Sequence, residues 1–209
     1  MKEVFSEDKS NFVNLKEEIP DIVVDLRYHS NYNFVGTKID GYEKSIAYVT
    51  KECAKKLKEV NDEVKKYGYV LKIFDAYRPQ MAVNHFIRWG EEKDHTKTKD
   101  IFYNNIEKEN LFKEGYISKK SAHTRGSTVD LTLYNTIIKE DLDTGGEFDN
   151  FGEIANYNYQ NITEFQKQNR KYLRDVMVRH GFIPLETEWW HFTLKNEPYP
   201  NTYFTFEIK

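Results

Sequence analysis

The chain has 209 residues, of which 39% are hydrophobic, and its 31 basic and 34 acidic side chains leave a net charge of −3. This excludes an intrinsically disordered chain, fits one domain, and lacks the basic excess of a nucleic-acid binder. No apolar run reaches the roughly 18 residues of a membrane span, charges interrupt the start where a secretion signal needs an apolar stretch, and the single cysteine excludes a disulfide framework, so a cytoplasmic protein with no membrane partner is expected.

The first 20 residues are polar and carry no strong pattern. Ile22, Val23 and Val24 predict a short strand that leads into Asp25-Leu26-Arg27-Tyr28. Residues 29–44 are rich in Asn and Gly and read as loop. Val49, Cys53, Leu57, Val60, Val64 and Tyr67 recur at steps of three and four, which predicts a helix over residues 50–67, capped by Thr50 and closed by Gly68. Tyr69 to Phe74 reads as a strand, and Pro79 is placed to open a helix over residues 79–89 that ends near Gly90. Residues 91–120 are charged and aperiodic. From Ser127 to Leu133 the pattern alternates, with Thr128, Asp130 and Thr132 on one face and Val129, Leu131 and Leu133 on the other. That is a half-buried strand with a polar face open to chemistry. Residues 143–162 read as Gly- and Asn-rich loop. Thr163 and Gln166 form a capping box for a helix over residues 164–180, with an apolar stripe of Phe165, Tyr172, Leu173 and Val176, ended by Gly181. Trp189 to Leu194 and residues 203–208 predict the last strands. Strands and helices interleave without tight repetition, so the expected fold class is α+β: a mainly antiparallel central sheet flanked by helices, in one domain over residues 1–209.

Three stretches carry reactive side chains: Tyr77-Arg78-Pro79, Ser121 to Asp130, and Glu188-Trp189-Trp190-His191. His123, Asp130 and His191 supply two imidazoles and a carboxylate, a donor set that zinc accepts with a fourth position left for water. In an ideal strand Glu188 and His191 face opposite sides, so Glu188 reaches the same site only from a turn or a twisted strand start. Taken singly, each residue has an ordinary reading: a hydrogen-bonded histidine, a sheet aspartate among threonines, an exposed turn acid, a surface arginine. Cys53 falls on an apolar helix stripe and is packed rather than nucleophilic. His180 suits the C-terminal end of its helix, His95 lies in a solvated charged segment, His85 has no clear role, and His29, after Tyr28, is a candidate for lining a pocket. The chain has no nucleophile-elbow serine, phosphate-cradling glycine loop or H-E-x-x-H helix.

Jointly, these stretches resemble the VanX-type D-alanyl-D-alanine dipeptidases, zinc enzymes of the D,D-peptidase clan. Their pattern S-x-H-x-x-G-x-A-x-D, then E-x-W-H, stands here as Ser121-Ala122-His123-Thr124-Arg125-Gly126-Ser127-Thr128-Val129-Asp130 and Glu188-Trp189-Trp190-His191. The likeness extends to Asp25–Tyr28, Asn33–Gly36, Asp40–Tyr42, Asp75–Pro79, Gly115-Tyr116, Asp130–Tyr134 and Glu197–Asn201. One position departs: the motif alanine is Thr128, a β-branched residue expected to narrow or reshape the pocket.

The resemblance implies a hedgehog-like zinc-peptidase fold and one Zn²⁺ per chain, held by His123, Asp130 and His191. It implies Glu188 as general base and acid, Arg78 as the group that polarises the scissile carbonyl, and Ser121, Asp149 and Tyr28 as substrate contacts, the last two at the free amino group. The implied substrate is the dipeptide D-Ala-D-Ala in a small, closed pocket. The implied role is depletion of that cell-wall precursor, as in glycopeptide (vancomycin) resistance, or recycling of D-Ala. A D,D-carboxypeptidase acting on longer cell-wall peptides and a non-catalytic zinc-binding module are the alternatives, and the presence of both Glu188 and Arg78 favours an enzyme.

Overall fold

Three strands meet where the reactive stretches lie, and the rest of the fold is built around them. The computed structural model describes residues 3–111, 113 and 115–209. In chain order its elements are β1 (Val4–Ser6), β2 (Phe12–Asn14), α1 (Leu15–Glu18), β3 (Val23–Val24), β4 (Tyr48–Thr50), α2 (Lys51–Val64), β5 (Tyr69–Asp75), α3 (Gln80–Glu91), α4 (Lys99–Phe102), β6 (Thr128–Asn135), β7 (Glu140–Asp141), α5 (Glu164–Arg179), β8 (Phe182–Leu185), β9 (Glu188–Leu194) and β10 (Thr202–Phe204). The central sheet runs β3-β5-β6-β9-β8 with β7 added to β6, and only the β3–β5 pair is parallel. The α+β class with a mainly antiparallel sheet is thus as expected. No helix among the described residues is long and apolar enough to cross a membrane.

The predicted helices form for the predicted reasons, with small shifts at their ends. The Thr50 hydroxyl accepts from the Cys53 amide, and Cys53, Leu57, Val60 and Val64 are buried. The last turn of this helix tightens over Lys65–Tyr67, and Gly68 closes it in the left-handed region at φ 81°. Asn61 shares the buried face and accepts from the Leu71 amide at 2.9 Å, which stitches α2 to β5. Pro79 stays extended as the residue before α3 rather than its first helical residue, and α3 continues through Gly90 to Glu91. The Thr163–Gln166 capping box is present on α5. Phe165 is a correction: it sits in the first turn of α5 beyond the covered part of the stripe and is 64% exposed, while Leu173, Val176 and Met177 are buried.

Other elements escape the sequence pattern. β1, β2 and α1 have only three, three and four residues, too short for periodicity. β8 contains Pro184, which a strand tolerates here because β8 is an edge of the sheet. The final strand is shorter than predicted: β10 ends at Phe204, and Ile208 makes only an isolated bridge to Tyr42. One cluster of buried hydrophobic side chains extends from Phe12 to Ile208 and packs both ends of the chain together.

Candidate active site

Asp130 and His191 are direct partners on the β6–β9 ladder, so their side chains leave the same face of the sheet. His123 arrives from the tight turn Ala122–Arg125 just before β6, whose start is capped by the Ser121 hydroxyl accepting from the His123 amide at 3.3 Å. Gly126 ends that turn at φ 82°, and a Cβ there would come within 2.3 Å of the Phe12 ring, so only glycine fits. His123 Nδ1 donates to the Ala76 carbonyl at 2.9 Å, which fixes the tautomer and aims the Nε2 lone pair into the site.

Three donor groups converge there. His123 Nε2 lies 3.2 Å from Asp130 Oδ2 and 3.3 Å from His191 Nδ1, which lies 3.1 Å from Asp130 Oδ1. Donors about 2.0–2.1 Å from a tetrahedral zinc ion sit ~3.3 Å from one another, so this spacing fits zinc. Among the described residues, no hydrogen-bond donor is in line with the buried Asp130 Oδ1, an orphaned acceptor that a cation would satisfy. The electrostatics agree. Burial works against a charged His191, yet the carboxylates of Asp130 and Glu188 outweigh it and push its pKa up to about 10. Burial likewise disfavours the Asp130 carboxylate, and His123 and His191 more than offset it, lowering its pKa. The pocket is a carboxylate-rich cage that favours positive charge.

A register irregularity brings Glu188 to this face. Pro184 pairs with Phe192, but the next residue, Leu185, pairs with Glu188 instead of His191. The odd number of extra β9 residues reverses the alternation, and Glu188 Oε2 comes within 3.3 Å of His191 Nδ1. Of the two expected routes, turn or irregular strand start, the second occurs.

A second irregularity aims Asp75. Ile73 pairs with Leu131 and Asp75 with Asp130, so Phe74 is bulged out and Asp75 turns onto the face of Asp130. Asp75 is fully buried, accepts from Arg78 Nε at 2.9 Å and from the Tyr42 hydroxyl at 2.7 Å, and lies 3.6 Å from His123 Nδ1. The Arg78 guanidinium is packed over Tyr28, 5.0 Å from the ring centre, with one nitrogen 3.5 Å from Asp130 and another 3.5 Å from Ser121. Sequence reasoning missed Asp75 and Tyr42 as site residues. The available signal was an aspartate closing an otherwise apolar strand three residues before Arg78.

Asp149 enters from the loop after β7. Arg170 of α5 is buried and donates to the carbonyls of Thr144, Asn156 and Ile154, which organises that loop. Asp149 sits at φ 60°, a left-handed conformation that aspartate tolerates and that often marks a site. It is buried and accepts from the Tyr28 hydroxyl at 2.8 Å. Burial first, then the charge of Asp130, raises its pKa well above the usual carboxylate range, against the pull of the Tyr28 hydrogen bond.

All eight predicted site residues line one cavity of about 380 Å³. That is near the lower end of ligand pockets, roughly 300–1,000 Å³. Phe34, Phe86, Tyr116 and Phe151 supply aromatic wall, and Lys120 and Thr193 line it as well. Thr128 does not line it. Thr128 is buried behind Thr193, its β9 partner, and their hydroxyls are 2.9 Å apart, so its influence on the pocket passes through Thr193. His29 is not among the lining residues. Cys53 is buried and its thiol pKa is pushed up by burial, His180 pairs with Glu63 at 2.8 Å, and His85 accepts from the Asp40 amide at 3.2 Å.

A peptidase M15 family model described as D-ala-D-ala dipeptidase matches residues 8–209. A D-alanyl-D-alanine dipeptidase of Enterococcus faecalis is 38% identical over 96% of this chain and 99% of its own length. One of Streptomyces coelicolor is 36% identical over 95% and 98%. A crystal structure of a vancomycin-resistance D,D-pentapeptidase, VanY, in complex with Zn(II) is 16% identical, covering 72% of this chain and 74% of that one at a TM-score of 0.41. With the family model spanning nearly the whole chain and relatives of this identity over nearly their full length, the chain belongs to the D-ala-D-ala dipeptidase family of M15 peptidases.

Proposed function

We propose that this protein is a zinc-dependent dipeptidase that hydrolyses D-Ala-D-Ala to D-alanine. His123 Nε2, His191 Nδ1 and an oxygen of Asp130 would hold the metal. A bound zinc ion supplies a Lewis acid that lowers the pKa of water to about 7. Glu188, beside His191, takes the proton of the attacking water and passes it to the leaving amine. The Arg78 guanidinium, held by Asp75, donates to the carbonyl oxygen where negative charge develops, which is the catalytically useful place for a donor. Asp149 receives the substrate's ammonium, since a desolvated ammonium needs a paired anion, and Tyr28 fixes the carboxylate that does so. Ser121, which caps the His123 turn, contacts the substrate beside the metal. The small methyl side chains of the substrate suit the aromatic walls.

The observation that carries this reading is the convergence of His123, Asp130 and His191 within 3.3 Å of one another, with Glu188 and the buried Asp149 on the same cavity. The test is metal analysis of the purified protein together with a D-Ala release assay. Wild type should carry zinc and release D-Ala, Glu188→Ala should keep zinc and lose turnover, and His123→Ala should lose the metal. Normal turnover by Glu188→Ala would sink the mechanism, and preference for a cell-wall pentapeptide over the free dipeptide would make the protein a carboxypeptidase instead.

A further inference from the structure

We infer that Lys120 receives the C-terminal carboxylate of the substrate, and that Glu3 is the counterion it gives up. This rests on the dipeptidase reading above. A free dipeptide carries opposite charges at its two ends, and Asp149 accounts for only one of them. Among the described residues, the cationic or potentially cationic side chains lining the cavity are Arg78, Lys120, His123 and His191. The two imidazoles face the metal site, and Arg78 is already held by Asp75 and packed on Tyr28. That leaves Lys120.

Lys120 directly precedes Ser121, which caps the turn carrying His123, so its backbone is tied to the metal site at a fixed spacing. Its ammonium sits on the Glu3 carboxylate at 2.5 Å, and the two side chains are 59% and 43% exposed. Glu3 is not among the residues lining the cavity and lies just before β1, which among the described residues pairs with β10 alone. An exposed single-point ion pair of this kind contributes little to stability. The flexible lysine stem lets the ammonium swing, so one carboxylate can replace another at small cost. Lys120 and Asp149 then bracket the substrate: a residue added at the N-terminus removes the ammonium, and one added at the C-terminus puts an amide where the carboxylate belongs.

The test compares D-Ala-D-Ala with its C-terminal amide in wild type, Lys120→Met, Lys120→Arg and Glu3→Gln, reading kcat and KM separately. Lys120→Met should raise KM for the free acid about tenfold or more with kcat nearly unchanged, the pattern of lost ground-state binding. Its KM for the amide should stay at the wild-type value, Lys120→Arg should recover most of the loss, and Glu3→Gln should lower KM for the acid. An unchanged KM in Lys120→Met, or an equal rise for acid and amide, overturns the assignment. An unchanged KM in Glu3→Gln overturns the role given to Glu3. If wild type releases no D-Ala from the dipeptide, the dipeptidase reading itself fails, an outcome distinct from turnover that ignores Lys120.

Discussion

Arg78 Nε donates to Asp75 Oδ2 at 2.9 Å, and the other Asp75 oxygen is taken by the Tyr42 hydroxyl at 2.7 Å. The carboxylate is buried and held from two sides, so it sets the angle at which the guanidinium enters the cavity. Asp75→Asn keeps the shape and removes the charge from the bond. We expect kcat/KM for D-Ala-D-Ala to fall by about 10–100-fold, the usual cost of losing such a supporting partner. Metal content should be unchanged, because Asp75 is not one of the three donors. Steady-state kinetics with metal analysis checks this, and wild-type kinetics in the variant would remove Asp75 from any positioning role.

The orphaned Asp130 oxygen and the carboxylate-rich surroundings of His191 predict a protein stabilised by its ion. An ion that binds the folded state alone raises stability by about 4 kcal/mol when present at ~1,000 times its dissociation constant. Thermal unfolding should therefore show a lower Tm after chelation and recovery on adding zinc. Acidification should mimic chelation, because protons compete for the histidines and the carboxylate. A Tm indifferent to chelator and to added zinc would mean that the folded protein does not bind the ion.

Much of this site is legible in the sequence because its signals are local. The Thr50 cap and the capping box of α5 each depend on residues within one element, and each recurs in the structure; the alternation around Asp130 locates the strand, but its polar side is covered too, and Thr128 to Leu133 are all buried. The two register irregularities are different. Whether Phe74 bulges depends on how β5 meets β6, and whether Glu188 turns toward His191 depends on β8, a strand that Pro184 conceals from pattern reading. Asp75 was missed for that reason, and Glu188 could be placed only conditionally. Lys120 carries no periodic signal at all, because its neighbour Glu3 is more than a hundred residues away in the chain.

The Thr128–Thr193 rung sits one step along the same face from Asp130 and His191. Thr128 is fully buried, whereas Thr193 borders the cavity, so losing either hydroxyl is not equivalent. Thr193→Val leaves the buried Thr128 hydroxyl without its partner, at a cost of about 1–3 kcal/mol. Thr128→Ala, which restores the motif residue, leaves a hydroxyl that can turn to the cavity, and should cost less. Chemical denaturation of both single variants and the double variant measures the difference. If Thr128→Ala proves the more damaging, its methyl group rather than its hydroxyl matters there.

Asp149 predicts opposed effects on stability and binding. Its carboxyl pKa is raised by burial and by the Asp130 charge, with Glu188 adding to the rise and Tyr28 and Arg78 opposing it. A carboxyl raised in the folded state favours folding below its unfolded pKa of about 3.9, and that contribution is lost as pH rises through the folded value. As pH rises above the unfolded value, the unliganded protein therefore loses the stability this carboxyl gives at low pH, a handicap imposed by its burial. Asp149→Asn removes it and can still accept from Tyr28, so the variant's Tm at neutral pH should exceed that of wild type. The same change removes the anion that the substrate's ammonium needs, so KM for D-Ala-D-Ala should rise about tenfold or more. In wild type, KM should climb as pH falls, beginning above the ordinary carboxylate range, because the protonated carboxyl no longer attracts the ammonium. The variant's KM should lack that climb. Both proteins are measured loaded with zinc, so titration of the metal ligands is common to the two profiles. A wild-type KM that follows the same pH curve as the variant's would show that Asp149 does not hold the ammonium.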